Sequence, residues 1–434
     1  MKRLNTKIGL YISLFALAVT SACAPSFDDY GSDSTGQSQA DFSKFIAVGN
    51  SLTAGFADGG LYLEGQKNAF PLIIAEQMKA VGGGNFEVPF FDEAHANGSG
   101  YMRLKDLENG NPVMENVTDN LAYREANKLI KYNGEINNLG IPGMRLDHSG
   151  VGLISAANMY FERVLSDSEV GTTSYMDFVS GRNHTFFSFW LGNNDALGYA
   201  TNGAVDEQNG TTNLTSTAVF SAMYGNFINT LTASGQKGIV ATIPDVTAVP
   251  YFTTVTRAAL LAAASAAAGT TIDDLYIMTK TGPRAATDRD MFVLPFSSAG
   301  LLGVPNDMSI PYGFHPLNPV EDKYVLDESE AAEVKSRVNE FNSIIKQNAE
   351  SKNLAVADVN AFLTMLKENP NYGINGVRIN ASYITGNAFS LDGIHLTPMG
   401  NAVVANIFID AINKKYNTNI PKVDITKYRA VVMP

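Results

Sequence analysis

Ser51 stands two residues after Gly49, at the end of a short apolar run at 44–49 (KFIAVG), so a strand there would deliver its hydroxyl to a turn at the carboxyl edge of a sheet. A serine hydroxyl becomes a competent nucleophile only when a neighbouring base takes its proton. Among the five histidines, His395 is the candidate base. It lies just ahead of a helical pattern at 398–416, and Asp392, three residues earlier, can reach back to the imidazole and fix its tautomer. A tetrahedral intermediate would then need preorganised donors aimed at its oxyanion. The Ser51 backbone N–H, the Gly143 backbone N–H and the Asn194 side-chain amide can supply three. The chemistry this set serves is acyl transfer.

Each residue also has an ordinary use. A serine after a strand commonly caps the next helix, Gly143 after Pro142 can simply make a turn, and Asn194 and Asp195 are common loop residues. The order in which they occur argues otherwise. The motifs are GNSL at 49–52, NLGIPG at 138–143, GNND at 192–195 and DGIH at 392–395. Together, in this order, they resemble the SGNH hydrolases, also called the GDSL esterase/lipase family, from residue 45 to about 413.

The resemblance implies a Ser51–His395–Asp392 triad and an oxyanion hole formed by Ser51, Gly143 and Asn194. Gly140 is a second candidate in the second motif; Gly143 is preferred because the family's donor lies five residues after that motif's asparagine. Asn50 departs from the family, which places Asp before the serine, and leaves the hydrogen bonding of that turn open. The sequence around Ser51 also lacks the GxSxG pattern of the α/β-hydrolases.

These residues need a frame. Apolar runs at 44–49, 185–191, 238–243 and 354–359, with a weaker one at 135–139, read as buried strands. Helical patterns fall between and after them at 70–79, 216–233, 328–350 and 398–416, with Thr397 as an N-cap. Strands alternating with helices indicate a parallel sheet covered on both faces. The family adds the specific expectation of a three-layer α/β/α, flavodoxin-like fold with five strands in the order 2-1-3-4-5. Such a core needs only part of 434 residues. Insertions are therefore expected near 87–132, 198–215 and 244–327, the last with an Ala-rich helix at 257–268, and are expected to wall the site. Trp190 reads as core, and Arg145, Asp147 and His148 as either cleft or exposed loop.

Composition narrows the remaining possibilities. A net charge of −12 makes nucleic acid an unsuitable partner. One cysteine excludes an intrachain disulfide and a Cys-cluster zinc site. No metal or organic cofactor is expected. Lys2, Arg3 and Lys7 precede an apolar run too short to span a bilayer, followed by Ser21, Ala22 and Cys23. Residues 1–22 are therefore read as a signal peptide whose end resembles a bacterial lipobox, with Cys23 as the lipidated residue. Residues 23–41, polar and acidic, read as a tether to the hydrolase domain at 42–434. The expected location is the cell envelope, lipid-anchored to a bacterial membrane, with the outer membrane preferred, and the domain in the periplasm or at the cell surface.

The sequence thus predicts an esterase acting on a lipid or an acylated carbohydrate. A carbohydrate O-acetyl esterase, or a non-catalytic surface lipoprotein that binds glycans or lipids, are the alternatives.

Overall fold

The computed structural model describes residues 39–434 apart from 109–110, 370–371 and 375. The expected signal peptide, Cys23 and the expected tether up to residue 38 lie outside the described residues. Five strands form the central sheet: β1 (Phe45–Gly49), β2 (Asn138–Gly140), β3 (Phe186–Trp190), β4 (Lys237–Ala241) and β5 (Ala355–Ala357). All pair in parallel, in the order β2-β1-β3-β4-β5, which is the expected 2-1-3-4-5. The helices used below are α1 (Ser51–Ala54), α2 (Phe70–Met78), α3 (Asn194–Thr201), α4 (Thr217–Leu231), α5 (Arg257–Ala268), α6 (Glu328–Ser351), α7 (Val359–Glu368) and α8 (Pro398–Tyr416).

The sequence FFSFW of β3 shows how the layers arise, because successive side chains of a strand point to opposite faces. On one face Phe189 packs against Phe227 and Tyr224 of α4, at centroid distances of 4.8 and 5.1 Å. Phe220 of α4 in turn stacks on Phe341 of α6 at 3.8 Å. On the other face Trp190 meets Phe70 of α2 and Phe408 of α8 at 5.5 and 5.9 Å. A strand buried on both sides is the pattern of a parallel sheet between two helical layers.

Local signals set the helix ends. Asp327 and Glu330 form a capping box at the start of α6, and Val334, Val338, Phe341 and Ile345 bury one stripe of it. Thr397 caps α8 by accepting the Gly400 N–H at 3.0 Å.

Several boundaries differ from the sequence reading, among them the following. The run at 354–359 yields only Ala355–Ala357, because Asp358 caps α7 by accepting the Ala361 N–H at 3.1 Å. That helix was not anticipated. The weak run at 135–139 becomes Asn138–Gly140; the Asn137 carbonyl still accepts the Ala47 N–H of β1 at 2.9 Å, while its Oδ1 accepts the Glu87 N–H at 2.8 Å. The folded body also begins before residue 42: Gln39 donates to the Tyr416 carbonyl at 3.1 Å, and Ala40 packs on the core.

The segment at 87–132 forms two antiparallel hairpins, Tyr101–Glu108 with Asn111–Val117 and Tyr123–Glu125 with Lys128–Leu129, neither joined to the central sheet. Among the described residues, no helix is long and apolar enough to cross a membrane.

Candidate active site

β1 ends at Gly49, and the chain turns at once into α1. A Cβ at Gly49 would collide with the Thr53 hydroxyl and the Trp190 carbonyl, so only glycine lets the turn lie this close to the sheet. Asn50 then caps α1, with Oδ1 accepting the Leu52 N–H at 3.2 Å. A neutral amide thus serves as the cap at the position where the family places Asp, which answers the hydrogen bonding that the sequence left open. Ser51, at the first position of α1, has a backbone N–H with no acceptor among the described residues.

His395 arrives from the far end of the chain. Its Nε2 lies 2.8 Å from Ser51 Oγ, across 344 residues of sequence. Its Nδ1 lies 2.9 Å from Asp392 Oδ2. With the ring proton on Nδ1 facing that carboxylate, Nε2 is free to accept the Ser51 proton. Asp392 Oδ1 also accepts the backbone N–H groups of Ile394 and His395, at 2.9 and 2.8 Å. Burial alone would raise the Asp392 carboxyl pKa. The positive charge His395 can carry, the ring hydrogen bond and the two backbone donors outweigh it, holding the pKa well below the usual carboxylate range. Phe56 packs on the His395 ring at 4.7 Å. Tyr251, from the segment at 244–327, supports the same loop by donating its N–H to the Gly393 carbonyl at 3.0 Å.

The two other expected donors line the same cleft as Ser51 and His395. Gly143 sits at φ +76, a conformation that favours glycine, and its N–H has no acceptor among the described residues. The preceding carbonyl, of Pro142, is held by Asn158 Nδ2 at 2.8 Å. Asn194 Nδ2 donates one hydrogen to the Met144 carbonyl at 2.9 Å, which fixes the amide plane and leaves its second hydrogen unengaged. Gly140 is otherwise employed. Its N–H goes to Asn138 Oδ1 at 3.1 Å, and its missing Cβ makes room for the backbone of α1.

A buried ionic cluster behind these donors is the part that sequence reading missed. Arg145 is 2% exposed and forms a fork with Asp147 at 2.9 and 2.8 Å. It also donates to the carbonyls of Asn194, Thr211 and Asn213 and to the Thr215 hydroxyl. Arg145 and Asp147 are thus structural, neither lining the cleft nor exposed. His148 is half-buried, and burial lowers its pKa. The available signal was the position of Asp195: a carboxylate directly after the third motif's asparagines needs donors if it is buried.

The family model of the GDSL-like lipase/acylhydrolases matches residues 45–408. The chain belongs to this family. It is an ester hydrolase. Similar solved structures include an α/β hydrolase, LAE5, from the metagenome of Lake Arreo, Spain, with 11% identity and a TM-score of 0.36 over 86% of this chain and 96% of that one. Another is the acetylxylan esterase Axe2 of Geobacillus stearothermophilus, with 10% identity and a TM-score of 0.34 over 87% and 96%. A third is a lipase/acylhydrolase from Enterococcus faecalis, with 12% identity and a TM-score of 0.32 over 86% and 96%. At these identities and scores the likeness says nothing about substrate. No curated protein matches the chain by sequence.

In this GDSL-like hydrolase Ser51, His395, Gly143 and Asn194 open onto one cleft of about 580 Å³. Asn127, Asn158 and Tyr160 line it together with the apolar side chains of Phe56, Met159 and Leu197. Of the expected insertions, the one at 87–132 contributes Asn127, at the tip of its second hairpin. The segment 157–160, which the sequence had not marked, contributes four consecutive residues. Those at 198–215 and 244–327 act from behind, through Arg145 and Gly393 respectively. Among the described residues no group of His, Cys, Asp and Glu is placed to hold a metal ion.

Proposed function

We propose that the protein is a serine esterase working through an acyl-enzyme. The observation that carries this reading is the continuous chain Ser51 Oγ, His395 Nε2, His395 Nδ1, Asp392 Oδ2, with links of 2.8 and 2.9 Å. Ser51 Oγ attacks the ester carbonyl carbon and passes its proton to His395 Nε2. The oxyanion is met by the N–H groups of Ser51 and Gly143 and the free amide hydrogen of Asn194. Collapse of the tetrahedral intermediate expels the alcohol, which takes the proton from His395. Water, activated by the same imidazole, then releases the acid and restores Ser51. Asp392 stays ionised throughout, orienting the ring and stabilising its transient charge. No step calls for a metal or an organic cofactor.

Labelling by a fluorophosphonate probe, with Ser51→Ala as control, tests the reading. The wild type should label and the variant should not. An unlabelled wild type would instead support a non-catalytic binding lipoprotein, which the intact Ser51–His395–Asp392 chain argues against.

A carbohydrate O-acetyl esterase is the second reading. The cleft carries the amides of Asn127 and Asn158 beside the Tyr160 ring, groups suited to a hydroxylated alcohol, on a lining that is otherwise mostly apolar.

For location, we propose a bacterial lipoprotein anchored through Cys23 to the cell envelope, with the outer membrane preferred. Support comes from Lys2, Arg3, Lys7, the apolar run after them and the cysteine that follows Ser21 and Ala22. Dual acylation at one residue would give stable anchoring where a single chain is marginal.

A further inference from the structure

The loop after α1 makes its own connection to Asp392. Ala57 and Gly60 exchange both backbone hydrogen bonds, at 3.0 and 2.9 Å, with Asp58 at φ +54 and Gly59 at φ +79 between them. This is a type I′ turn, for which Asp-Gly is a favoured pair. Both central N–H groups are engaged by the loop at 390–392. Asp58 donates to Ser390 Oγ at 3.0 Å and Gly59 to Asp392 Oδ2 at 2.9 Å. The Asp58 side chain closes the link from the other direction, its Oδ1 accepting the Leu391 N–H at 2.9 Å. Its Oδ2 accepts the Tyr62 hydroxyl at 2.7 Å, and Tyr62 is itself stacked on Tyr101 at 4.0 Å. The carboxylate is therefore held in one orientation.

We infer that Asp58 is a positioning residue for the active site, its turn clamping Asp392 to the segment that carries Ser51. The inference rests on the roles proposed above for Ser51, Asp392 and His395. Its physical logic is one of registration. Asp392 aims the imidazole, yet it lies on a loop 333 residues beyond Gly59 and must be held in the same frame as Ser51. Asp392 Oδ2 takes two donors, the Gly59 N–H and the His395 ring N–H, and together they fix its direction. Without the Asp58 links the carboxylate would follow its own loop, and a misplacement of ~1 Å in a reacting constellation costs on the order of 10²-fold in rate.

The test uses Asp58→Ala, Asp58→Asn and Ser390→Ala in the otherwise intact protein. Three quantities are measured: kcat and KM on p-nitrophenyl acetate, Tm, and the low-field proton resonance of the His395 ring N–H facing Asp392. Asp58→Ala should lower kcat about 10- to 100-fold at nearly constant KM and shift or broaden that resonance. Asp58→Asn keeps an acceptor for Leu391 and should recover most of the rate. Ser390→Ala removes one link only and should give a smaller loss with the same spectroscopic signature.

Wild-type kcat and resonance in Asp58→Ala overturn the proposal. So does a loss that tracks Tm and is not recovered by Asn. Should Asp58→Ala not fold, an unchanged rate and resonance in Ser390→Ala decide against it. Full activity in Ser51→Ala would defeat the hydrolytic reading; the resonance, read without turnover, then decides alone, an unchanged signal in Asp58→Ala overturning the clamp and a shifted or broadened one supporting it.

Discussion

Asp195 accepts the backbone N–H of Leu146 at 2.7 Å, joining the third sequence motif to the loop that follows the second. The same carboxylate accepts the Asp147 N–H and the Thr215 hydroxyl, both at 3.1 Å, and is fully buried. Gly143 and Asn194, the two proposed oxyanion donors that come from different strands' ends, are thereby held in one rigid body. Burial, together with the neighbouring Asp147 charge, raises the Asp195 carboxyl pKa, and the buried Arg145 guanidinium opposes that rise.

Arg145→Ala should therefore be among the most damaging substitutions away from Ser51. It removes the cation from beside the buried Asp195 and the partly buried Asp147, and breaking such an arrangement costs about 3–5 kcal/mol. Urea denaturation measures it. A loss under about 1 kcal/mol would mean that the cluster is solvated in a way the hydrogen bonds do not suggest.

Asn194→Ala should lower kcat about 10²–10³-fold while changing KM little, because the amide acts on the oxyanion and not on the ground-state carbonyl. That side chain makes a single hydrogen bond, to the Met144 carbonyl, while Asp195 holds the same two segments together through its own bonds, so Tm should move only slightly. Steady-state kinetics on p-nitrophenyl acetate and butyrate checks both, and equal effects on kcat and Tm would argue for a structural role alone.

Asp392→Asn should cost about 10⁴ in kcat by spoiling the imidazole tautomer. It should also have a pH signature in stability. The folded carboxyl binds its proton less tightly than an unfolded one, so its contribution is complete above the ordinary carboxylate pKa of about 3.9 and is lost as the pH falls below it. The Tm difference between wild type and Asp392→Asn should shrink as the pH falls from about 4 toward about 2. A gap that instead widens below about pH 4 would reverse the assigned shift.

Acyl-chain preference follows from the cleft. If the amides of Asn127 and Asn158 hold a carbohydrate alcohol, the acyl group is short, and p-nitrophenyl acetate should be preferred over the octanoate by at least about tenfold in kcat/KM despite the mostly apolar lining. The opposite preference would favour a lipid ester and exclude the carbohydrate reading.

Cys23→Ser should move the protein from the membrane fraction to the soluble one in a bacterial host, as shown by fractionation and immunoblotting. Retention in the membrane would leave the anchor unassigned.

Sequence alone determined a good deal here, for reasons that are local. Buried strands such as FFSFW are apolar throughout because both faces are covered, and helix ends carry their caps in the chain, as with Thr397 and the Asp327–Glu330 box. The four motifs named the residues that now meet at the cleft, because acyl transfer restricts which side chains can serve.

Tertiary structure decided what depends on partners distant in sequence. Whether Arg145 is a solvated loop residue or the centre of a buried cluster turns on carbonyls at 194, 211 and 213 that no local pattern reveals. The use of Gly140 for close packing and of Gly143 for an open N–H turns on which neighbours approach each glycine. The Asp58 turn could be read as a turn, but not as a clamp, until Ser390, Leu391 and Asp392 lay against it. Hydrogen bonds and burial act over a few ångströms of space without regard to chain distance, so these assignments exist only once the chain has folded.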